Sequence, residues 1–234
     1  MGAAISKPLT PLRSFLSKAK VHRDVTSALK TKAKSHFGEV DSELRQANDL
    51  ALSCLCSQTA RAGNLLRADL SDIEIKRSDI HAEFIKGLNA FEYCLESGLY
   101  GASATLARRE IEAVNVCVNF RRGKQKNKKN PGIKAFKRFE GIYKQLSGIA
   151  HNTDQAAMSY LSGGGKGNLD PRIDCRLANF LLGVHIHSSI AILFDMSEIA
   201  PFSESCRLDP DEQYYSRVAL GILVDKDIMN LEPK

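Results

Sequence analysis

The sequence predicts an all-α protein, a helical bundle with a basic helical arm at its N-terminus. The seven prolines lie almost entirely at the edges of long proline-free stretches, and proline is tolerated at helix ends but not inside helices. Within those stretches apolar residues recur at the three- and four-residue spacing of amphipathic helices, whereas strand-like alternation is nowhere convincing. With 43% hydrophobic and 26% charged residues, the composition is that of an ordinary globular protein.

The 234 residues are enough for one substantial domain with appendages. Residues 1–38 are predicted to form the basic arm, because many lysines there surround a weak apolar pattern. Residues 39–200 are predicted to form the helical bundle. Residues 201–234 are predicted to form a C-terminal helical extension.

The bundle helices follow one another in a clear order. Apolar residues mark a first helix over residues 41–68. Ser71 and Glu74 then have the spacing of a capping box ahead of a second apolar run, which Gly98 ends. The remaining predicted helices cover residues 100–122, 133–150 and 172–199, and a shorter one follows Pro210.

The charge balance favours an anionic partner. The formal net charge is +6 and the sequence pI is about 9.0, so nucleic acid, an acidic protein or a membrane surface are candidate partners. The alternative is a basic surface that only keeps the protein in solution. The six cysteines lack paired CxxC spacing, which is typical of reduced residues in a cytoplasmic protein, and neither a metal site nor a cofactor is expected.

No transmembrane segment is predicted. The longest uncharged run, residues 177–194, includes Asn179, His185 and His187, which are costly in hydrocarbon, so a buried core helix is the better interpretation. The N-terminal MGAAISK fits the myristoylation pattern at Gly2. Such short patterns arise often by chance. A membrane-surface adaptor with a lipidated Gly2 is therefore only a weak functional hypothesis, and membrane contact is not expected.

The most informative segment is YGASATLARREIEAVNVCVNFRR, residues 100–122. On a helical wheel Arg108, Glu112, Asn115 and Asn119 fall within about 60° of one another. Most of the remaining circumference is apolar, so this is a narrow polar stripe on an otherwise buried helix. The stripe either lines a polar cleft, with Arg108 and Glu112 paired at four-residue spacing, or is simply a solvent contact or packing salt bridge.

The segment YKQLSGIAHNT, residues 143–153, ends the next amphipathic helix with His151. The helical wheel puts His151 at the border of the apolar face. A histidine at a helix C-terminus is also favoured by the helix dipole without any function. Local pattern alone therefore favours a structural role over catalysis.

Taken together, LARREIEAVNV and YKQLSGIAH resemble HEPN-like helical proteins of bacteria, in particular a group with an Arg-x-x-x-Glu helix and a Tyr-x-x-Leu-Ser-x-x-x-His helix end. The resemblance covers roughly residues 41–199. It implies a HEPN-like bundle, a homodimer, and a metal-independent endoribonuclease or RNA-binding protein of prokaryotic stress or antiviral defence. HEPN ribonucleases place an arginine before the histidine, whereas Lys144 stands here with six residues between it and His151.

The resemblance implies roles for four residues. His151 is the general base that removes the proton of an RNA 2′-hydroxyl. Lys144 and Arg108 stabilise charge on the phosphorane, and Glu112 orients Arg108. The product carries a 2′,3′-cyclic phosphate. The alternative is a non-catalytic helical interaction or scaffold protein in which Arg108 and Glu112 form a structural pair.

The segment RRGKQKNKKNPG, residues 121–132, joins these two helices and contains six basic and no acidic residues. Flexible basic side chains beside a polar cleft attract phosphates. Base stacking is not predicted, because no aromatic residue interrupts the segment. A solvated loop is the alternative. The predicted nucleic-acid-binding residues are Arg121, Arg122, Lys124, Lys126, Lys128 and Lys129.

Overall fold

The structure is a computed structural model that describes residues 10–62, 70–123, 137–150, 174–199 and 204–228. Over these ranges the chain forms helices and no strand, which confirms the predicted all-α class. The α-helices are α1 (Thr10–His36), α2 (Ser42–Ala62), α3 (Asp72–Glu96), α4 (Tyr100–Arg121), α5 (Lys137–Ala150), α6 (Cys175–Ser197) and α7 (Pro210–Asp225).

Local capping fixes where α3 begins and ends. The Ser71 hydroxyl accepts a bond from the Glu74 amide, and the Glu74 carboxylate accepts one from the Ser71 amide at 2.7 Å, so the predicted capping box is confirmed. After α3 the chain turns at Gly98, whose φ of 68° is a left-handed value that glycine adopts readily. This turn lets α4 begin at once and pack back along α3.

The core of the bundle is built around α6. This helix packs against α2, α3, α4 and α7, and its side chains at Leu181, Ile186 and Leu193 are completely buried. One cluster of buried apolar residues joins α2 to α7 through α4, α5 and α6. A second cluster joins α2, α3, α4 and the C-terminal half of α6.

Helix α6 is also long and apolar enough to cross a membrane by length and composition, the one such helix among the described residues. Its most apolar window has a mean hydropathy of 1.7, but 67% of that window is buried inside the bundle. This is how the core helix of a soluble protein looks, which agrees with the prediction that the run is not a membrane span.

The two terminal segments attach differently. Helix α7 packs along α2 and contributes Ala219 and Leu223 to the first core cluster. Helix α1 contacts α3: Lys30 Nζ donates to the Tyr93 hydroxyl at 3.1 Å, and Ala33 is buried. The domain boundaries at residues 38 and 200 stay predictions, although α7 shares the core of the bundle. Helix α7 is thus part of the bundle core.

Candidate functional site

Two sequence motifs, one on α4 and one on α5, meet at Tyr143. The Arg108 guanidinium donates from Nε to Glu112 Oε1 at 3.1 Å and to the Tyr143 hydroxyl at 3.2 Å. The Tyr143 hydroxyl in turn donates to Glu112 Oε1 at 2.7 Å. The centre of the guanidinium also lies 5.2 Å from the centroid of the Tyr143 ring. We call Arg108, Glu112 and Tyr143 the α4–α5 polar cluster.

The α4–α5 polar cluster is half-buried, and its charges are fixed by its own hydrogen bonds. The side chains of Arg108 and Glu112 keep 26% and 35% of their surface exposed. Burial raises the pKa of Tyr143, and so does the bond to Glu112, so the phenol stays protonated and donates. Burial alone lowers the pKa of Arg108, but the hydrogen bonds that the guanidinium donates to Tyr143 and Glu112 outweigh burial and raise the pKa. The cluster therefore presents a permanent positive charge beside a carboxylate.

The second half of the polar stripe is buried. Asn115 and Asn119 are 2% and 3% exposed, and the Asn119 amide donates to the Asn115 backbone oxygen at 2.7 Å. The four residues that share one side of α4 therefore do not line one open cleft. Only Arg108 and Glu112, nearer the N-terminus of the helix, reach solvent.

Two further predicted site residues, Lys144 and His151, lie at or just after the C-terminal part of α5. Lys144 is exposed on α5, next to Tyr143 in the chain. His151 directly follows the last residue of α5, Ala150, and lies outside the described residues. The predicted roles of Lys144 and His151 stay predictions.

The basic tract is described only at its start. Arg121 pairs with Glu198 at 2.5 Å and links the end of α4 to the end of α6, and Arg122 is exposed at the C-cap of α4. The remaining basic residues of the predicted tract lie outside the described residues: Lys124, Lys126, Lys128 and Lys129.

A buried ionic centre that the sequence did not predict joins α3 to α6. The Asp195 carboxylate lies 2.8 Å from Arg77 Nη2 and 2.8 Å from His81 Nε2. Arg77 Nη2 also donates to the Asp195 backbone oxygen at 3.0 Å. All three residues are at most 5% exposed. We call them the α3–α6 ionic centre.

The ionic centre is not a convincing metal site. Ligand atoms of His81, Asp195 and Cys117 lie within 4.8 Å of one another, so three metal-ligand types meet there. However, the Asp195 carboxylate already forms an ion pair with the Arg77 guanidinium. Burial raises the pKa of the Cys117 thiol well above its ordinary value, and the nearby Asp195 adds to this, so the thiol stays protonated. The chemistry of the group favours an internal ion pair.

A buried histidine–carboxylate pair lies nearer the N-terminus of α6 than Asp195 does. His185 Nδ1 is 2.8 Å from Glu110 Oε1, and the imidazole stacks on Phe91 with 4.0 Å between ring centroids. His185 is fully buried. Glu110 is 6% exposed, so the structure buries this carboxylate against the histidine.

Only some residues of the α3–α6 ionic centre could have been found from the sequence. Arg77 and His81 stand four residues apart on one side of α3, which a search for polar pairs would find. Asp195 ends the long uncharged run of α6. Nothing in the sequence connects the two, because the partners are more than a hundred residues apart.

Over the described residues the chain forms an all-helical bundle, in which the α4–α5 polar cluster is half-buried and the α3–α6 ionic centre and the His185–Glu110 pair are buried. A comparison of the chain with protein-family models, with curated proteins and with solved structures finds no match.

Proposed function

We propose that the protein is a HEPN-like helical protein that acts on RNA, with the α4–α5 polar cluster at the centre of a metal-independent endoribonuclease site. The observation that carries the proposal is that the Tyr143 hydroxyl donates a hydrogen bond to Glu112 and accepts one from Arg108. It joins the two motifs on which the resemblance depends. Both motifs also flank the basic tract of residues 121–132.

The charge and exposure of the cluster support a phosphate-binding role. Arg108 is held in one orientation by Glu112 and Tyr143 and keeps part of its surface exposed. A guanidinium held in this way can approach a phosphate without losing much further side-chain entropy. Arg122 adds a second exposed positive charge at the end of the same helix. Long-range attraction by the basic surface would raise the local concentration of RNA.

In the proposed reaction His151 acts as general base and removes the proton of a 2′-hydroxyl. The resulting alkoxide attacks the adjacent phosphorus, and the 5′-oxygen of the next nucleotide leaves and takes up a proton from water. Arg108 and Lys144 stabilise the negative charge on the phosphorane, and Glu112 keeps Arg108 in position. The products are a 2′,3′-cyclic phosphate and a 5′-hydroxyl. In this proposal the protein works in the cytoplasm as a homodimer, in stress or antiviral defence.

The test is cleavage of RNA by purified protein in the presence of EDTA. The wild-type protein should cleave an RNA oligonucleotide and leave its 2′-deoxy analogue intact, because the nucleophile is the 2′-hydroxyl. His151→Ala should abolish cleavage while preserving the helical circular dichroism spectrum. His36→Ala is the matched control, since His36 is an exposed histidine that pairs with Glu39 at the end of α1. Cleavage by the His151 variant at the wild-type rate would refute the proposal.

A second function, that of a non-catalytic interaction protein, is favoured by one specific observation. The three side chains of the α4–α5 polar cluster satisfy one another and cross-link two helices. In that case Tyr143→Phe should lower stability without any RNA phenotype, and the wild-type protein should not cleave RNA. The cleavage assay therefore separates the two functions.

A further inference from the structure

A separate cleft of about 500 Å³ opens between the C-terminal end of α2, the middle of α3 and the end of α6. Its walls are mainly apolar and include Leu70, Ile85, Met196 and Ile199. This volume and this character are typical of small-molecule sites. None of the residues of the α4–α5 polar cluster lines the cleft, so it is distinct from the proposed RNA site.

A buried histidine lines this cleft. His81 is 4% exposed and forms part of the cleft wall. Among the described residues its one hydrogen bond joins Nε2 to Asp195 Oδ2 at 2.8 Å. The other ring nitrogen, Nδ1, is therefore available to a molecule in the cleft. Lys86 lies at the exposed side of the cleft, where it pairs with Glu83.

The contact with Asp195 fixes which nitrogen of the His81 ring can accept a hydrogen bond. A carboxylate oxygen accepts, so His81 Nε2 donates to Asp195 Oδ2. In this tautomer Nδ1 has a lone pair that can accept a hydrogen bond. The cleft thus offers a hydrogen-bond acceptor among apolar walls.

We propose that this cleft binds a neutral, largely apolar small molecule that carries a hydroxyl group, such as a phenol, and that the hydroxyl donates a hydrogen bond to His81 Nδ1. Arg77 and Asp195 act as positioning residues that fix the orientation and tautomer of the imidazole. The apolar walls take up the body of the ligand. This site goes beyond the proposed action on RNA and does not depend on it.

The test compares two fluorescent probes that differ in one donor, 2-naphthol and 2-methoxynaphthalene. Because the protein contains no tryptophan, naphthalene emission can be followed without interference from that residue. The wild-type protein should bind 2-naphthol saturably. It should bind 2-methoxynaphthalene about tenfold more weakly or worse, since the ether cannot donate to the buried acceptor.

Matched variants locate the binding. Ala82 is exposed and lines the cleft, so Ala82→Phe should fill the entrance and abolish 2-naphthol binding without touching the ionic centre. Ala102→Phe is the control, because Ala102 is an exposed helical alanine on α4 that does not line the cleft. In His81→Leu the preference for 2-naphthol over the ether should disappear. If that variant does not fold, the comparison of the two probes and the Ala82→Phe variant still test whether the cleft binds 2-naphthol.

Three results would overturn the proposal. The first is absence of 2-naphthol binding to the wild-type protein. The second is equal affinity for the two probes, which would show that no acceptor is used. The third is wild-type affinity in Ala82→Phe, which would place the bound probe elsewhere.

Discussion

Replacement of Asp195 by asparagine should destabilise the protein by about 3 to 5 kcal/mol. Asparagine has nearly the same shape, so no cavity forms, and the loss comes from charge. Arg77 is 5% exposed and loses the carboxylate that lies 2.8 Å from its Nη2 and 3.1 Å from its Nε. Its bond to the backbone oxygen of residue 195 remains, which favours the lower end of the range.

Urea unfolding at neutral pH, followed by far-ultraviolet circular dichroism, measures this loss. Glu83→Gln is the matched control: it removes a carboxylate from an exposed pair with Lys86, and no measurable change is expected because solvent screens such pairs. The double variant Arg77→Met, Asp195→Leu should recover most of the stability, since it leaves no unpaired buried charge. A loss below about 1 kcal/mol in Asp195→Asn would refute the argument that the carboxylate compensates a buried guanidinium.

Four further changes test other parts of the structure by the same urea measurement. Burial alone raises the pKa of Asp195, but the hydrogen bonds from His81 and Arg77 hold this pKa below its ordinary value of 3.8. The contribution of Asp195 to the free energy of unfolding should therefore be complete above pH 3.8 and disappear as the pH falls further. Tyr143→Phe should cost about 1 kcal/mol through two lost hydrogen bonds of a half-buried hydroxyl. Ser71→Ala should cost about 1 kcal/mol because α3 loses its N-cap, and an unchanged midpoint would contradict this. Gly183→Ala should cost about 1 to 3 kcal/mol, because an added Cβ lies 2.5 Å from Cγ2 of Ile228.

The sequence predicted those features that depend on neighbours in the chain. The capping box at Ser71, the turn at Gly98 and the helical class follow from spacing alone, and the structure has all three. Arg108 and Glu112 were predicted to pair because they are four residues apart on α4, and they do. Their bond to Tyr143 was not predicted, because it depends on how α5 packs against α4.

The buried centres lay beyond the reach of the sequence for the same reason. Asp195 ends an uncharged run and resembles an ordinary surface residue at a helix end, yet the structure buries it against Arg77 and His81. Asn115 and Asn119 show the opposite error. They lie on the same face of α4 as Arg108, so the helical wheel predicted the same degree of exposure for all three. These two residues are buried by the packing of the bundle, whereas Arg108 and Glu112 keep part of their surface exposed. A helical wheel gives the direction of a side chain but not what lies opposite.

The most direct test of the central claim is mass analysis of RNA ends after incubation with two neighbouring arginine variants in EDTA. Arg108 belongs to the α4–α5 polar cluster, whereas Arg109 is the adjacent, exposed residue of the same helix. The proposal predicts 2′,3′-cyclic phosphate ends with the wild-type protein and with Arg109→Gln, and a loss of at least about a hundredfold in rate with Arg108→Gln. Cyclic phosphate ends formed equally fast by Arg108→Gln, or by none of the proteins, would contradict it.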